Sequence, residues 1–393
     1  MRCRQIGWLV IVVFVALIPL NVQATIPLRM NPEFSVTPMD TRLDHSDPSV
    51  EAAIWHDTNH AIAMLEAQNK LPKPTSPSQV SLTWPLRYVG NNPSIFNYYA
   101  IGYFVDHNPV TGLLRDYMGG ERTYDTSAYR HNGVDIQPWP FPMQMMDSQA
   151  IQAVAAAPGI IVYRADGYYD RNCALQAAGV NMVNIRHSDG TITRYAHLKK
   201  GSVTYKQVGD RVDQGEYLGL IGSSGNSSGP HLHFDVYVNE STVIDPFQGP
   251  SNPTTTTSWW VAQRPYWNST LNRLMTSSEF PDDETCPNPE KTYESLHFNL
   301  GSTVRFLAYY SDQRPSQTTT YTIKRPDGTI FTTWTHAPPW DFFIRGWGWS
   351  HLIPDNEQPG IWIFSAEYLN TTYSHRFTMG NFDYAVYLPN TQR

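Results

Sequence analysis

Four histidines and one aspartate in the middle of this 393-residue chain sit at spacings that metal-dependent hydrolysis uses. In His131-Asn132-Gly133-Val134-Asp135 the outer two residues are four apart, and on a strand such residues share a face. Gly133 lies between them on that face and leaves it open. An imidazole and a carboxylate held this way suit a zinc ion, although a polar strand surface produces the same pattern. The segment from His231 to Val238, HLHFDVYV, alternates without a break. His231, His233, Asp235 and Tyr237 fall on one face, and Leu232, Phe234, Val236 and Val238 on the other, which reads as core. His197 closes TITRYAHL, where alternation groups Thr191, Thr193, Tyr195 and His197. A catalytic zinc takes three protein ligands. Four histidines and an aspartate therefore leave groups over for acid–base work, a role that suits an imidazole with its ordinary pKa of about 6.5.

The elements that would position these residues are short and β-type. From Leu82 to about Gly249, runs such as GIIVYRADG (159–167) and RVDQGEYLGLIGSSG (211–225) alternate with Gly, Asp-Gly and Ser-Gly turns. His187-Ser188-Asp189-Gly190 is a compact hairpin corner. The expected fold class is mainly β, with a compact antiparallel sheet carrying the histidines. Upstream, residues 25–81 form a Pro-punctuated leader or pro-segment remnant, with one loosely amphipathic helix over Pro48–Leu71 and a hinge at 72–78. Downstream, a Pro/Ser/Thr linker at 250–258 precedes residues 259–393, which hold eight of the 12 Trp. Alternating runs there, with an Asp327-Gly328 turn, predict an immunoglobulin-like β-sandwich. In it Trp340, Trp347 and Trp349 form either an aromatic platform or, more simply, sandwich core.

Composition narrows the function classes. With 41% hydrophobic and 13% aromatic residues, the chain can bury cores, so wholesale disorder is excluded. Residues 1–24 read as a cleavable signal peptide: Arg2 and Arg4, an apolar stretch from Ile6 to Leu20, then Val22-Gln23-Ala24. That stretch is shorter than the ~20 residues a spanning helix needs, so an exported product, periplasmic or extracellular and without stable membrane insertion, is expected. Its loss removes two Arg and no acid, taking the formal charge from −7 to −9. An acidic chain argues against a nucleic-acid partner. There is no CxxC and no HExxH, and a serine hydrolase is not expected. Cys173 and Cys286 remain after export and could pair in an oxidising compartment.

HxGxD, then YAHL, then SGPHLHF, in this order, resemble the lysostaphin-like (LytM-type) zinc endopeptidases that cut peptidoglycan peptides. Trp84-Pro85-Leu86, APGIIVYRADG and Ile244-Asp245-Pro246 agree with them, and the likeness covers residues 82–249. The resemblance implies one zinc per chain on His131, Asp135 and His233, with His197 and His231 as paired catalytic histidines and Tyr195 as a substrate-binding groove residue. It implies peptidoglycan peptides as partners, acted on by a monomer. Zinc-activated water would attack the scissile carbonyl, one histidine taking its proton and the other stabilising the oxyanion. WPFPMQMMDSQ (139–149) and YYDRNCALQAAG (168–179) lengthen two loops expected to border the groove. Asp235 stands where many relatives carry Glu. The rival readings are a secreted peptidase acting on Gly-rich proteins and a non-catalytic cell-wall-binding regulator of other hydrolases.

Overall fold

The computed structural model describes residues 28–36, 48–71, 79–126, 129–175, 179–283 and 286–381. The expected signal peptide and the 72–78 hinge lie outside them. Among the described residues no helix is long and apolar enough to cross a membrane. The protein is mainly β. An eight-stranded antiparallel sheet runs in the order Arg211–Val212, Gly159–Ala165, Met182–Arg186, Ile192–Ala196, Leu232–Asn239, Val134–Pro138 and Tyr99–Tyr103, with Thr242–Ile244 on the Leu232–Asn239 strand. A three-stranded sheet, Tyr217–Leu220, Ile151–Val154 and Leu86–Tyr88, packs with it. The core between them contains Leu232, Phe234 and Val236, all fully buried, whereas Val238, expected with them from the alternation of HLHFDVYV, is exposed near the end of the strand.

Helix α1 (Pro48–Ala67) covers the other face of the large sheet. Its alanines, leucine and glutamates favour helix, and proline is tolerated at the first position because its missing N–H would have no partner there. Ile54, Trp55, Thr58, Ala61 and Leu65 are buried, a single stripe. The helix stops at Ala67, four residues before the predicted end at Leu71, and Asn69, at φ 55°, follows in the left-handed conformation that caps helices.

From Thr270 onward seven long strands form a sandwich. Thr270–Ser277, Thr303–Gln313 and Phe342–Leu352 make one sheet; Ile330–His336, Thr319–Lys324, Gly360–Tyr368 and Thr371–Met379 make the other. The first, second and fifth strands thus face the other four, an immunoglobulin-like arrangement. Trp334, Trp349, Trp362 and Phe364 are fully buried between the sheets, and Trp347 packs with them. Of the three tryptophans considered for a platform, Trp340 alone is exposed, at 63%. The N-terminal segment joins this sandwich: Leu28–Arg29 pairs parallel to Ile330–His336, and Phe34–Val36 pairs antiparallel to Phe342–Leu352. Residues 250–258, expected as a linker, form turns pinned by Asn252 Nδ2 and Thr255 Oγ1, both donating to the Asp245 carbonyl.

Candidate metal centre and active site

Strand register brings the site together. Asp135 is paired with His233 across neighbouring strands, so both side chains leave the sheet on the same face. His131 precedes the Val134–Pro138 strand by one turn of chain. Gly133 has the room it needs for a specific reason: a Cβ there would lie 2.6 Å from His233 Nε2. The absent side chain is the space the imidazole occupies.

His131, Asp135 and His233 each offer one ligand atom, all within 4.8 Å of one another. Asp135 Oδ1 is the hub, 2.8 Å from His233 Nδ1, 3.2 Å from His131 Nε2 and 3.7 Å from His231 Nε2. Around a tetrahedral zinc with bonds of about 2.0 Å, ligand atoms stand ~3.3 Å apart, close to these separations. His131 Nε2 and Asp135 Oδ2 are buried and make no hydrogen bond among the described residues, a costly arrangement unless a cation sits against them. The donor set fits a divalent metal ion.

Backbone carbonyls fix the histidine tautomers. A carbonyl only accepts, so His131 Nδ1–H donates to Phe104 O at 2.7 Å, His231 Nδ1–H to Gly229 O at 2.8 Å, and His197 Nδ1–H to Ser224 O. Each ring keeps Nε2 as its acceptor when neutral. His233 is turned the other way: its Nε2 faces Asp235 Oδ1 at 3.2 Å, which leaves Nδ1 for the ligand cluster. The His197 and His231 rings lie 4.6 Å apart, and His197 is 6.0 Å from His233. All five residues are 1–5% exposed. Burial alone would raise the Asp135 carboxyl, but the facing imidazoles of His131 and His231 hold it well below the usual carboxylate range. Asp235 is likewise held low: burial is outweighed by His233 and Arg194.

One expectation needs correction. Tyr195 is not a groove residue. It leaves the Ile192–Ala196 strand on the core side, packs on Phe234 at 5.3 Å and is fully buried. Its hydroxyl accepts the Ala156 N–H at 2.7 Å, and burial pushes its pKa up to about 12. Alternation would send His197 to that same side. His197 instead sits just past the strand at φ 63°, and this left-handed step turns its ring to the metal side. Within Trp139–Gln149, Trp139 and Phe141 pack on the sandwich with Met275, Leu307 and Tyr309, while Asp147 pairs with Arg171 of the 168–179 loop. Residues 168–175 reach the edge of the site. Asn172 Nδ2 donates to Gly225 O at 2.6 Å, and Ser223 Oγ to Asn172 O at 2.8 Å, bracing the turn that carries His231.

That turn, Gly225-Asn226-Ser227-Ser228-Gly229, has the Gly-x-Ser-x-Gly spacing of a serine nucleophile, contrary to the sequence expectation that no such motif is present. Ser227 is fully buried, and its hydroxyl donates to Gly229 O at 2.9 Å. His231 Nδ1, 3.4 Å from it, gives its proton to the same carbonyl and presents no lone pair, so Ser227 has no base there. The Ile244-Asp245-Pro246 segment is a brace: Asp245 Oδ2 meets His107 Nε2 at 2.8 Å and Oδ1 accepts the Phe247 N–H. Cys173 and Cys286 form a disulfide, Cα–Cα 6.0 Å.

A mainly β domain thus holds a His/Asp cluster that fits a metal ion, with two further histidines beside it. Residues 129–246 match the sequence model of peptidase family M23. The chain is 42% identical over 74 residues to the peptidoglycan DD-endopeptidase ShyC of Vibrio cholerae, covering 19% of this chain and 16% of that protein. It is 37% identical over 91 residues to the DD-carboxypeptidase/endopeptidase Mpg of Neisseria meningitidis serogroup B, covering 23% and 18%. The chain thus spans under a fifth of the length of these relatives. Among solved structures it is similar to the catalytic domain of lysostaphin from Staphylococcus simulans, with 27% identity, 38% of this chain and 89% of that one covered, and a TM-score of 0.25.

Proposed function

We propose that this protein is an exported zinc endopeptidase that hydrolyses peptide bonds in peptidoglycan stem peptides or cross-bridges. The observation that carries the reading is the convergence of His131, Asp135 and His233 beside two further imidazoles whose Nδ1–H groups are already committed to carbonyls. His131, Asp135 and His233 would hold the ion, and the mixed nitrogen and oxygen donors suit zinc. Bound there, zinc supplies Lewis acidity that acidifies water and polarises a carbonyl. His197 and His231 would divide the proton work: the neutral ring accepts a proton from the attacking water at Nε2 and returns it to the leaving amine as the C–N bond breaks, and the protonated ring donates a hydrogen bond from Nε2–H to the developing oxyanion. The Ser224 and Gly229 carbonyls stabilise either ring in its charged state, because both accept from Nδ1–H.

The named activities of the similar Vibrio and Neisseria proteins support peptidoglycan as the substrate, and the intact ligand and histidine set supports an enzyme over a non-catalytic binder. The disulfide supports export, since such bonds persist in oxidising compartments. The test separates ligands from acid–base groups. His233→Ala is expected to lose bound zinc, measured by elemental analysis of the purified protein. His197→Ala and His231→Ala are expected to retain zinc and lose at least about 100-fold in peptide release from purified cell walls. Wild-type activity in His233→Ala would overturn the reading.

A further inference from the structure

Helix α1 lies outside the residues that match the peptidase family, yet a line of charged contacts runs from its half-buried Glu51 to a metal-cluster histidine. His233 Nε2 faces Asp235 Oδ1 at 3.2 Å. Asp235 Oδ2 accepts the Tyr237 hydroxyl at 2.7 Å and lies 3.7 Å from Arg194 Nη1. The same Arg194 nitrogen meets Glu51 Oε1, in the first turn of α1, at 2.8 Å. The guanidinium carbon sits 5.2 Å from the Trp55 ring centroid and 5.0 Å from that of Tyr237. Those two rings touch edge to face at 4.9 Å, so Arg194 is clamped between helix and strand. Arg194, Asp235, Tyr237 and Trp55 are all buried.

The chemistry of this line has a direction. A buried carboxylate stays ionised only beside a compensating charge, and Arg194 supplies it. A buried guanidinium needs its own partner, and Glu51 is that partner. Asp235 Oδ1 stands 3.2 Å from His233 Nε2, and a carboxylate beside the outer nitrogen of a metal-ligating imidazole sets that ring's orientation. The geometry points to Glu51 and Arg194 as positioning residues of the metal centre: they hold Asp235 so that His233 presents Nδ1. Helix α1 is then a working part of that centre rather than a leader to be removed. This rests on the proposed metal-binding reading of His131, Asp135 and His233.

The experiment measures zinc affinity of the full-length protein by competition with a chromophoric chelator, alongside the Tm of each metal-free variant and the visible spectrum of the cobalt form. Asp235→Asn is expected to bind zinc about 10–100-fold more weakly. Glu51→Gln is expected to lose on the order of 3–10-fold, the range that coupling between contacting residues produces. Both should alter the cobalt spectrum. Asn59→Ala, which removes an exposed α1 contact to Glu240, serves as the helix-docking control and should bind zinc as the wild type does. Should Asp235→Asn lower the metal-free Tm, Asp235→Glu, which keeps the charge, is expected to restore affinity. Wild-type zinc affinity in both Glu51→Gln and Asp235→Asn would overturn the proposal. So would faster peptide release by Glu51→Gln at unchanged affinity, which would make α1 a cover over the site. A wild-type protein that binds no zinc would instead overturn the parent reading.

Discussion

At the scale of single residues, the site depends on one missing side chain and on hydrogen bonds that choose tautomers. Gly133→Ala is expected to weaken zinc binding at least about tenfold, because the new Cβ would stand 2.6 Å from His233 Nε2. The overpacking should cost about 1–3 kcal/mol of stability, read as a lower Tm and a weaker zinc affinity. Tyr195→Phe tests the corrected role of that residue. It strips the Ala156 N–H of its acceptor, a loss of about 1–3 kcal/mol for a buried donor, and should lower Tm while leaving KM unchanged. A raised KM at unchanged Tm would return Tyr195 to the groove. Asp135 and His233 were legible in the sequence because they sit on paired strands whose alternation decides their face, while His131 and His231, just outside those strands, were legible from their spacing to them. His197 and Tyr195 were not separable that way. A single left-handed residue reverses a face without any glycine or proline to announce it.

At the scale of elements, the strands around the site follow from their hydrophobic alternation, whereas the partners of α1 do not. Its loose stripe predicted a helix over 48–71 but contained no signal that Glu51 would meet Arg194 or that Trp55 would meet Tyr237. Those contacts are long-range, and periodicity reports only on the local chain. The 168–179 loop is similar: its length was visible, its bracing of the His231 turn was not. The disulfide ties this loop to Cys286 across 113 residues of sequence, beside Arg171, whose Nε–H donates to Pro287 O at 2.8 Å. Paired Cys173→Ser and Cys286→Ser substitution is expected to cost about 2–4 kcal/mol, measured by urea unfolding. Stability equal to wild type in the double variant would show that the bond closes no consequential loop.

At the scale of the whole molecule, two β bodies were legible from composition and turn spacing, but their fusion was not. Arg122 Nη1 meets Asp312 Oδ1 at 2.8 Å across the junction, both buried, with the guanidinium 4.4 Å from the Phe343 centroid. Trp139 Nε1 donates to Tyr310 O, and Glu290 accepts the N–H groups of Met143 and Gln144. The expected leader contributes edge strands to both sandwich sheets. His375 joins the bodies too, between Ser94 Oγ at 2.7 Å and Thr276 Oγ1 at 2.9 Å. Burial, aided by Arg273, lowers its pKa to about 4 from 6.5. The unfolded chain therefore binds a proton that the folded one refuses. Stability is full above pH 6.5 and falls as pH drops from there to about 4, by up to about 3 kcal/mol from this group. In His375→Gln the acid-side fall in Tm over that window should be shallower; an identical slope would remove His375 from the account. The most direct test of the central claim is mass spectrometry of fragments released from defined peptidoglycans by the full-length protein, with a chelator and after zinc is restored. The account predicts new peptide termini that vanish with the chelator and return with zinc. Release that ignores the chelator, or fragments cut only in the glycan strands, would contradict it.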